Sequence, residues 1–132
     1  MIKRDSERVK QTGEVFTPSD LVEDILNNLP LDSWTDPSKT FLEPSCGDGN
    51  FLIVLKQRLM SHGHSERQVL SRLYAVDLMA DNVEECKNRL DPYNQHRDIL
   101  DKNIVCMNGL SYHYRFDDGT VDEELFNKLF DF

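Results

Sequence analysis

The chain has 132 residues, of which 39% are hydrophobic and 30% are charged, a composition that fits one globular domain. Fifteen basic and 24 acidic residues give a formal net charge of −9. Because sequence-independent binding to nucleic acid depends on Lys and Arg neutralising phosphates, the chain by itself is predicted to bind nucleic acid poorly. Its longest apolar run, residues 51–55, is too short to cross a bilayer, and its first residues lack the apolar core of a signal peptide. Three well-separated cysteines favour a reducing cytoplasm over a disulfide framework.

The polar first part of the chain leads into a predicted helix over about 19–29. Pro18 and Ser19 favour a helix start, and five apolar residues are predicted to share one face of this helix: Leu21, Val22, Ile25, Leu26 and Leu29. Residues 30–39 are predicted to form a loop and residues 40–42 a short strand. A helix that is apolar on most sides is predicted to follow over 50–60.

The second half of the chain continues this alternation of strands and helices. A weak capping box, Ser65 to Gln68, predicts a short helix that ends before a buried strand over 73–76. The remaining predicted elements are a helix over 81–90, a strand over 103–106, a helix over 121–129 and the opening of another strand over 130–132. Strands that alternate with helices are typical of a parallel α/β sheet.

Residues 43–50 connect the first predicted strand to the helix that follows it, and they contain Gly47 and Gly49. Glycine tolerates positive φ and lets a ligand approach the backbone, whose N–H groups point outward at a helix N-terminus. Asp77 ends the next strand, and the carboxyl ends of parallel strands form the ligand-binding edge of such sheets. Its carboxylate is therefore predicted to accept from both hydroxyls of a ribose. Glu43 and Asp77 together suit a nucleoside with a cationic head better than a pyrophosphate.

These motifs match a known family. Residues 43–52, EPSCGDGNFL, resemble motif I of S-adenosylmethionine-dependent N6-adenine DNA methyltransferases, and residues 12–18, TGEVFTP, resemble their motif X. The order of the two motifs is similar to that in restriction-modification adenine methylases. Residues 75–77 resemble motif II, and residues 105–110 are a weaker likeness to motif III.

The resemblance implies an α/β fold of the Rossmann-like S-adenosylmethionine methyltransferase kind. Its parallel sheet with flanking helices is expected to be incomplete at the C-terminal end. The whole chain, 1–132, is then a single partial methyltransferase domain. Residues 1–18 form its N-terminal arm and motif X, and residues 19–132 form its cofactor-binding α/β half.

The resemblance also implies S-adenosyl-L-methionine as the cofactor and gives roles to individual residues. Residues 16–18 border its methionine end, and Glu43 with the glycine-loop backbone holds the amino and carboxylate groups. Asp77 binds the ribose hydroxyls, and Asn108 meets the adenine amino group, where the family more often has Asp. The full predicted set is Phe16, Thr17, Pro18, Glu43, Cys46, Gly47, Asp48, Gly49, Phe51, Asp77 and Asn108. No metal ligand is predicted.

The family's catalytic motif, Asn/Asp-Pro-Pro-Tyr/Phe, does not occur in these 132 residues, and no catalytic residue is predicted. We therefore expect the cofactor-binding N-terminal part of an adenine-N6 DNA methyltransferase, inactive alone and reaching DNA only through a missing or separate domain. Two alternatives stay open, a degenerate stand-alone module that binds cofactor or a partner protein, and a fragment of an RNA-adenine or protein-glutamine methyltransferase. Whether the chain acts as an enzyme is left open. The open sheet edge is expected to invite self-association or a partner subunit.

Overall fold

The computed structural model describes residues 18–114 and 116. Along these residues the elements are α1 (Ser19–Asn27), α2 (Asp32–Thr35), β1 (Phe41–Glu43), α3 (Asn50–Ser61), α4 (Glu66–Leu70), β2 (Leu73–Asp77), α5 (Ala80–Leu90), α6 (Arg97–Asn103) and β3 (Ile104–Cys106). The helix and strand predicted after residue 120, and motif X apart from Pro18, lie outside the described residues. None of the described helices has the length and apolar character needed to cross a bilayer.

The three strands form one parallel sheet in the order β1-β2-β3, which confirms the predicted α/β class. Phe41 of β1 pairs with Leu73 of β2, and Ala75 of β2 pairs with Ile104 of β3. Helices separate consecutive strands, as parallel connections require. Each strand lies within one residue of its prediction, because short apolar runs bounded by polar turns mark buried strands.

The core lies between one face of the sheet and the helices. Leu73, Ala75 and Ile104 point to this face and are fully buried. They join a cluster of side chains from α3 to α6: Leu52, Leu55, Leu59, Val69, Leu70, Val83, Cys86, Leu90 and Leu100. Since side chains alternate along a strand, Tyr74 points to the opposite face, where its ring lies edge-on to Phe116 at 5.0 Å. On that face, Phe116 also contacts the rings of Tyr112 and Tyr114.

Helix α1 buries a narrower stripe than the sequence predicts. Of the five apolar residues predicted to share one face, Val22 and Leu26 are fully buried, whereas Leu21, Ile25 and Leu29 are exposed. The reason is that α1 packs on one side against α3, and one contact covers residues four apart rather than a wide face. At its start, Pro18 accepts the backbone N–H of Val22 at 3.0 Å.

Two short helices form where none was predicted. In the predicted loop over 30–39, α2 places Trp34 in the core, where its ring stacks on Phe41 with centroids 6.2 Å apart. Helix α6 begins where Asp91 accepts the backbone N–H groups of Gln95 and His96 at 2.9 and 2.8 Å. Burial of Trp34 and a carboxylate a few residues before α6, rather than local apolar periodicity, therefore set these two elements.

Candidate nucleoside-cofactor site

The loop between β1 and α3 requires glycine at two positions. Gly47 and Gly49 have φ of 55° and 96°, in the left-handed region that side chains with a Cβ rarely adopt. A Cβ at Gly49 would also lie 3.0 Å from Cys86 Sγ and 3.2 Å from Cys86 Cα on α5. Gly49 precedes α3 directly and has no side chain to cap it, so the first-turn N–H groups receive no capping side chain from that position. Such N–H groups can donate hydrogen bonds to an anion.

The loop is tied to the end of β2, as the sequence predicts. Cys46 donates its backbone N–H to the Val76 carbonyl at 2.9 Å, and Gly47 donates its backbone N–H to Asp77 Oδ2 at 2.9 Å. Because these bonds join neighbouring parallel strands at their carboxyl ends, the glycine loop and Asp77 occupy the same rim of the sheet. We call this rim, made by residues 43–49, 77–79 and 106–108, the carboxyl rim.

Asp77 holds the rim together through three hydrogen bonds. In addition to Gly47, the backbone N–H of Met79 at 2.9 Å and the Asn82 side-chain amide at 3.0 Å donate to its Oδ1. The residue is only 6% exposed. An ionised carboxylate can accept about four hydrogen bonds, so Asp77 can accept one more from a ligand hydroxyl. A second ligand hydroxyl would have to displace an internal donor. The sequence predicted its place at the rim but gave no sign of these internal partners.

Glu43 adds a second carboxylate beside Asp77. Its Oε1 accepts the backbone N–H of Ser45 at 3.0 Å. Burial raises the pKa of the Glu43 carboxyl above its ordinary value; the Ser45 N–H opposes this rise, and the negative charge of Asp77 adds to it. Two acidic groups at one rim produce a negative potential that favours a cationic ligand and disfavours phosphate.

Two apolar side chains on the carboxyl rim were missed in the sequence analysis. Leu78 follows β2 and is 54% exposed, and Met107 follows β3 and is 49% exposed. The Met107 N–H donates to the Asp77 carbonyl at 2.9 Å, so the two strand ends stay together. Exposed apolar side chains beside acidic groups suit a flat base attached to a polar sugar. Their position directly after a buried strand is the signal that could have identified them.

The other predicted site residues differ in where their side chains lie. Phe51 is partly buried and packs against the core. Asp48 is buried and faces Arg89. The side-chain oxygen of Asn108 accepts the backbone N–H of Leu110 at 3.0 Å. Pro18 is exposed at the start of α1, and Phe16 and Thr17 lie outside the described residues. The structure therefore brings together Glu43, Cys46, Gly47, Gly49 and Asp77, with Asn108 following β3.

Cys46 is a buried thiol rather than an exposed nucleophile. A hydrogen bond with Cys86 raises the pKa of its thiol, and burial and the nearby carboxylates raise it further. A thiol with a raised pKa carries little thiolate, the reactive form. Cys46 therefore contributes packing and its backbone to the loop.

A separate cluster of possible metal ligands lies at the opposite end of the sheet, where Glu66, Asp91 and His96 have donor atoms within 4.8 Å of one another. His96 Nε2 is 3.3 Å from Glu66 Oε1, and Lys56 Nζ is 3.8 Å from Glu66 Oε2. The carboxylate of Asp91 already accepts two backbone N–H groups. Because the Lys56 ammonium already offsets the Glu66 carboxylate, the arrangement is explained by ion pairs and hydrogen bonds without a metal ion.

The parallel sheet with flanking helices, which carries a glycine loop after β1 and an acid at the end of β2, fits an α/β Rossmann-like methyltransferase fold. The family model for N-6 DNA methylase matches residues 1–107. The chain therefore belongs to the N-6 DNA methylase family, and the suspected resemblance is confirmed. No curated protein and no solved structure matches the chain significantly.

Proposed function

We propose that this chain is the S-adenosyl-L-methionine-binding N-terminal part of a site-specific adenine-N6 DNA methyltransferase of the restriction-modification kind. The observation that carries the proposal is the bond from Gly47 to Asp77, which joins the glycine loop to an acidic strand end at one rim. Family membership supplies the reaction class, since N-6 DNA methylases act on adenine in DNA. The three free cysteines support a reducing cytoplasm as its compartment.

The chemistry of the carboxyl rim fits the charges of this cofactor. Glu43 and Asp77 would attract its ammonium and sulfonium groups, and the uncapped start of α3 would suit its carboxylate. The remaining acceptor position on Asp77 would serve the ribose. Leu78 and Met107 would offer apolar surface to the adenine. When bound, the cofactor supplies an activated methyl group.

Methyl transfer needs residues beyond this set. The exocyclic amine of adenine is a poor nucleophile because its lone pair is delocalised into the ring. An amide or carboxylate and a backbone carbonyl must accept its hydrogens, and an aromatic side chain must stack on the flipped base. The tetrad that provides these groups in the family is absent from the 132 residues. We therefore propose that the chain binds cofactor without transferring its methyl group.

The unpaired edge of β1 is the proposed place for the completing residues. Among the described strands, β1 pairs only with β2, so its other edge has no partner strand within the described residues. A further segment or partner subunit that adds a strand there would bring its own groups to the carboxyl rim. It would also have to supply the basic surface for DNA, because this chain carries a net charge of −9. Light scattering after size exclusion tests self-association through this edge, and a monomer at high concentration would argue against it.

One observation favours a second candidate, a degenerate module that binds a partner protein instead of cofactor. Asp77 is almost fully buried and already has three internal donors, so its capacity for a ribose is reduced. Under this reading the carboxylate serves only to fix the loop. The two candidates differ in whether the isolated chain binds the nucleoside.

Isothermal titration calorimetry with S-adenosylmethionine and with its demethylated product S-adenosylhomocysteine separates the candidates. We expect binding of both by the wild-type chain, and Asp77→Ala should weaken binding by about 1–3 kcal/mol through the loss of charged hydrogen bonds. Asp98→Ala is the matched control, because Asp98 is an exposed α6 residue paired with Arg67. No heat with the wild-type chain would support the degenerate module. Transfer of a labelled methyl group to DNA by the chain alone would contradict the proposed inactivity.

A further inference from the structure

The glycine loop has a second attachment, which comes from α5. Arg89 Nη1 donates to the Asp48 carbonyl at 3.1 Å and to Asn50 Oδ1 at 2.8 Å. One guanidinium therefore joins the last part of the loop to the first residue of α3. The side chain of Arg89 is 32% exposed, so part of the group is shielded from water. Asp77 and Arg89 together restrain the loop from two elements that lie 30 and 41 residues away in sequence.

The same guanidinium faces a buried charge. Asp48 is 4% exposed, and its Oδ1 lies 3.4 Å from Arg89 Nη1. Within the described part of the chain, this oxygen has no hydrogen-bond donor in suitable geometry. Since a buried carboxylate without a partner is costly, Arg89 is its electrostatic counter-ion. The sequence analysis assigned Asp48 to the cofactor, but its side chain faces α5.

We infer that Arg89 is a positioning residue for the cofactor site, with Asp48 as its buried counter-ion. The inference rests on the proposed function, and it deepens it by naming the residue that holds the loop in binding geometry before the ligand arrives. Fixing Asp48 and Asn50 fixes Gly49 between them, at the junction where the loop becomes helix α3. A preorganised loop binds without the cost of ordering its backbone.

A merely structural role for Arg89 predicts different behaviour from a positioning role. If Arg89 only neutralises Asp48, then Asp48→Asn should restore both stability and binding to an Arg89→Ala chain. If Arg89 also positions the loop, the double variant should regain the stability lost to the unpaired charge and still bind weakly, because the bonds to the Asp48 carbonyl and to Asn50 stay lost. Arg89→Lys keeps the cation and should recover part of the affinity.

The experiment compares Arg89→Ala, Arg89→Ala with Asp48→Asn, and Arg89→Lys with the wild-type chain. Arg97→Ala is the matched control, because Arg97 pairs with Glu84 and Asp101 on the surface, away from the loop. Thermal unfolding reports stability, calorimetry reports the dissociation constant for S-adenosylmethionine, and NMR hydrogen exchange without ligand reports the loop amides. In an enzyme site, a displacement of about 1 Å can cost about 100-fold in rate, and we expect a 10- to 100-fold loss of affinity in the double variant.

We also expect the Gly47 and Gly49 amides of the double variant to exchange at least about tenfold faster, with β2 unchanged and Arg97→Ala like the wild type. Wild-type affinity or unchanged loop exchange in the double variant would overturn the inference. If Arg89→Ala does not fold, the double variant and Arg89→Lys still decide the matter. If the wild-type chain does not bind S-adenosylmethionine, the proposed function fails, and the exchange rates still test the positioning role on their own.

Discussion

Replacing Glu43 by glutamine should stabilise the chain while weakening its binding site. The carboxyl of Glu43 is partly buried, and the negative charge of Asp77 lies close to it, so its ionised form is disfavoured in the folded state. Glutamine has nearly the same shape and keeps an oxygen that can accept the Ser45 N–H. The substitution therefore removes a partly buried negative charge and changes little else.

The direction of the pH dependence follows from the raised pKa of Glu43. A carboxyl whose pKa is higher in the folded than in the unfolded chain makes stability fall as pH rises between the two values. Because glutamine does not ionise, the stability of the Glu43→Gln variant does not fall in this way. Its advantage should be absent below the ordinary glutamate pKa of 4.5 and complete once Glu43 is ionised in the folded chain. Because the side chain is only partly buried, we expect a gain of about 0.5–1 kcal/mol at neutral pH. For a domain of this size that corresponds to roughly 2–5 °C in Tm.

Chemical denaturation of both chains between about pH 4 and pH 8 measures this gain and its pH window. Glu84→Gln is the matched control with the opposite sign, because it breaks the surface ion pair with Arg97 and should cost at most about 1 kcal/mol. The same Glu43→Gln chain should bind S-adenosylmethionine more weakly, with a smaller effect on S-adenosylhomocysteine, which lacks the sulfonium charge. A variant that is less stable at neutral pH, or a gain independent of pH, would refute the reasoning.

Three further substitutions test the packing that supports the site. Gly49→Ala should destabilise the chain by about 1–3 kcal/mol more than Gly63→Ala in denaturant titrations. Both glycines have φ near 95°, but only Gly49 has close neighbours. Equal losses would contradict this reason. Asp91→Ala should cost about 1–2 kcal/mol and speed hydrogen exchange in α6, because it removes the acceptor of the Gln95 and His96 N–H groups that lead into this helix. Unchanged α6 exchange would count against that role. Leu26→Ala should lower the unfolding free energy by about 2–5 kcal/mol, because Leu26 is fully buried. Ile25→Ala should lower it by less than about 0.5 kcal/mol, because Ile25 is exposed. Similar losses would show that α1 buries both residues.

The sequence predicts the sheet and the meeting of the glycine loop with Asp77 because both follow from local patterns and topology. Apolar runs between polar turns mark β2 within one residue of its ends, and parallel strands bring their carboxyl ends to one rim. Helix α6 could not be predicted in this way, since it has few apolar residues and its start depends on Asp91.

The partners of the site residues also could not be predicted, because they come from distant parts of the chain. Asp77 looks like a free strand-end acid in sequence, yet Gly47, 30 residues earlier, occupies one of its oxygens. The position of Asp48 beside Gly47 and Gly49 indicates a ligand contact, but Arg89 faces its side chain. Which apolar side chains of α1 are covered likewise depends on where α3 packs, which periodicity does not encode.

We propose above all that the carboxyl rim binds a sulfonium nucleoside. A two-dimensional ¹⁵N NMR titration of the chain with S-adenosylmethionine tests it most directly, because it reports both binding and location. We expect saturable shifts of the amide signals of Gly47, Gly49, Leu78 and Met107, with the signals of α6 unchanged. No shifts at millimolar ligand, or shifts confined to another surface, would contradict it.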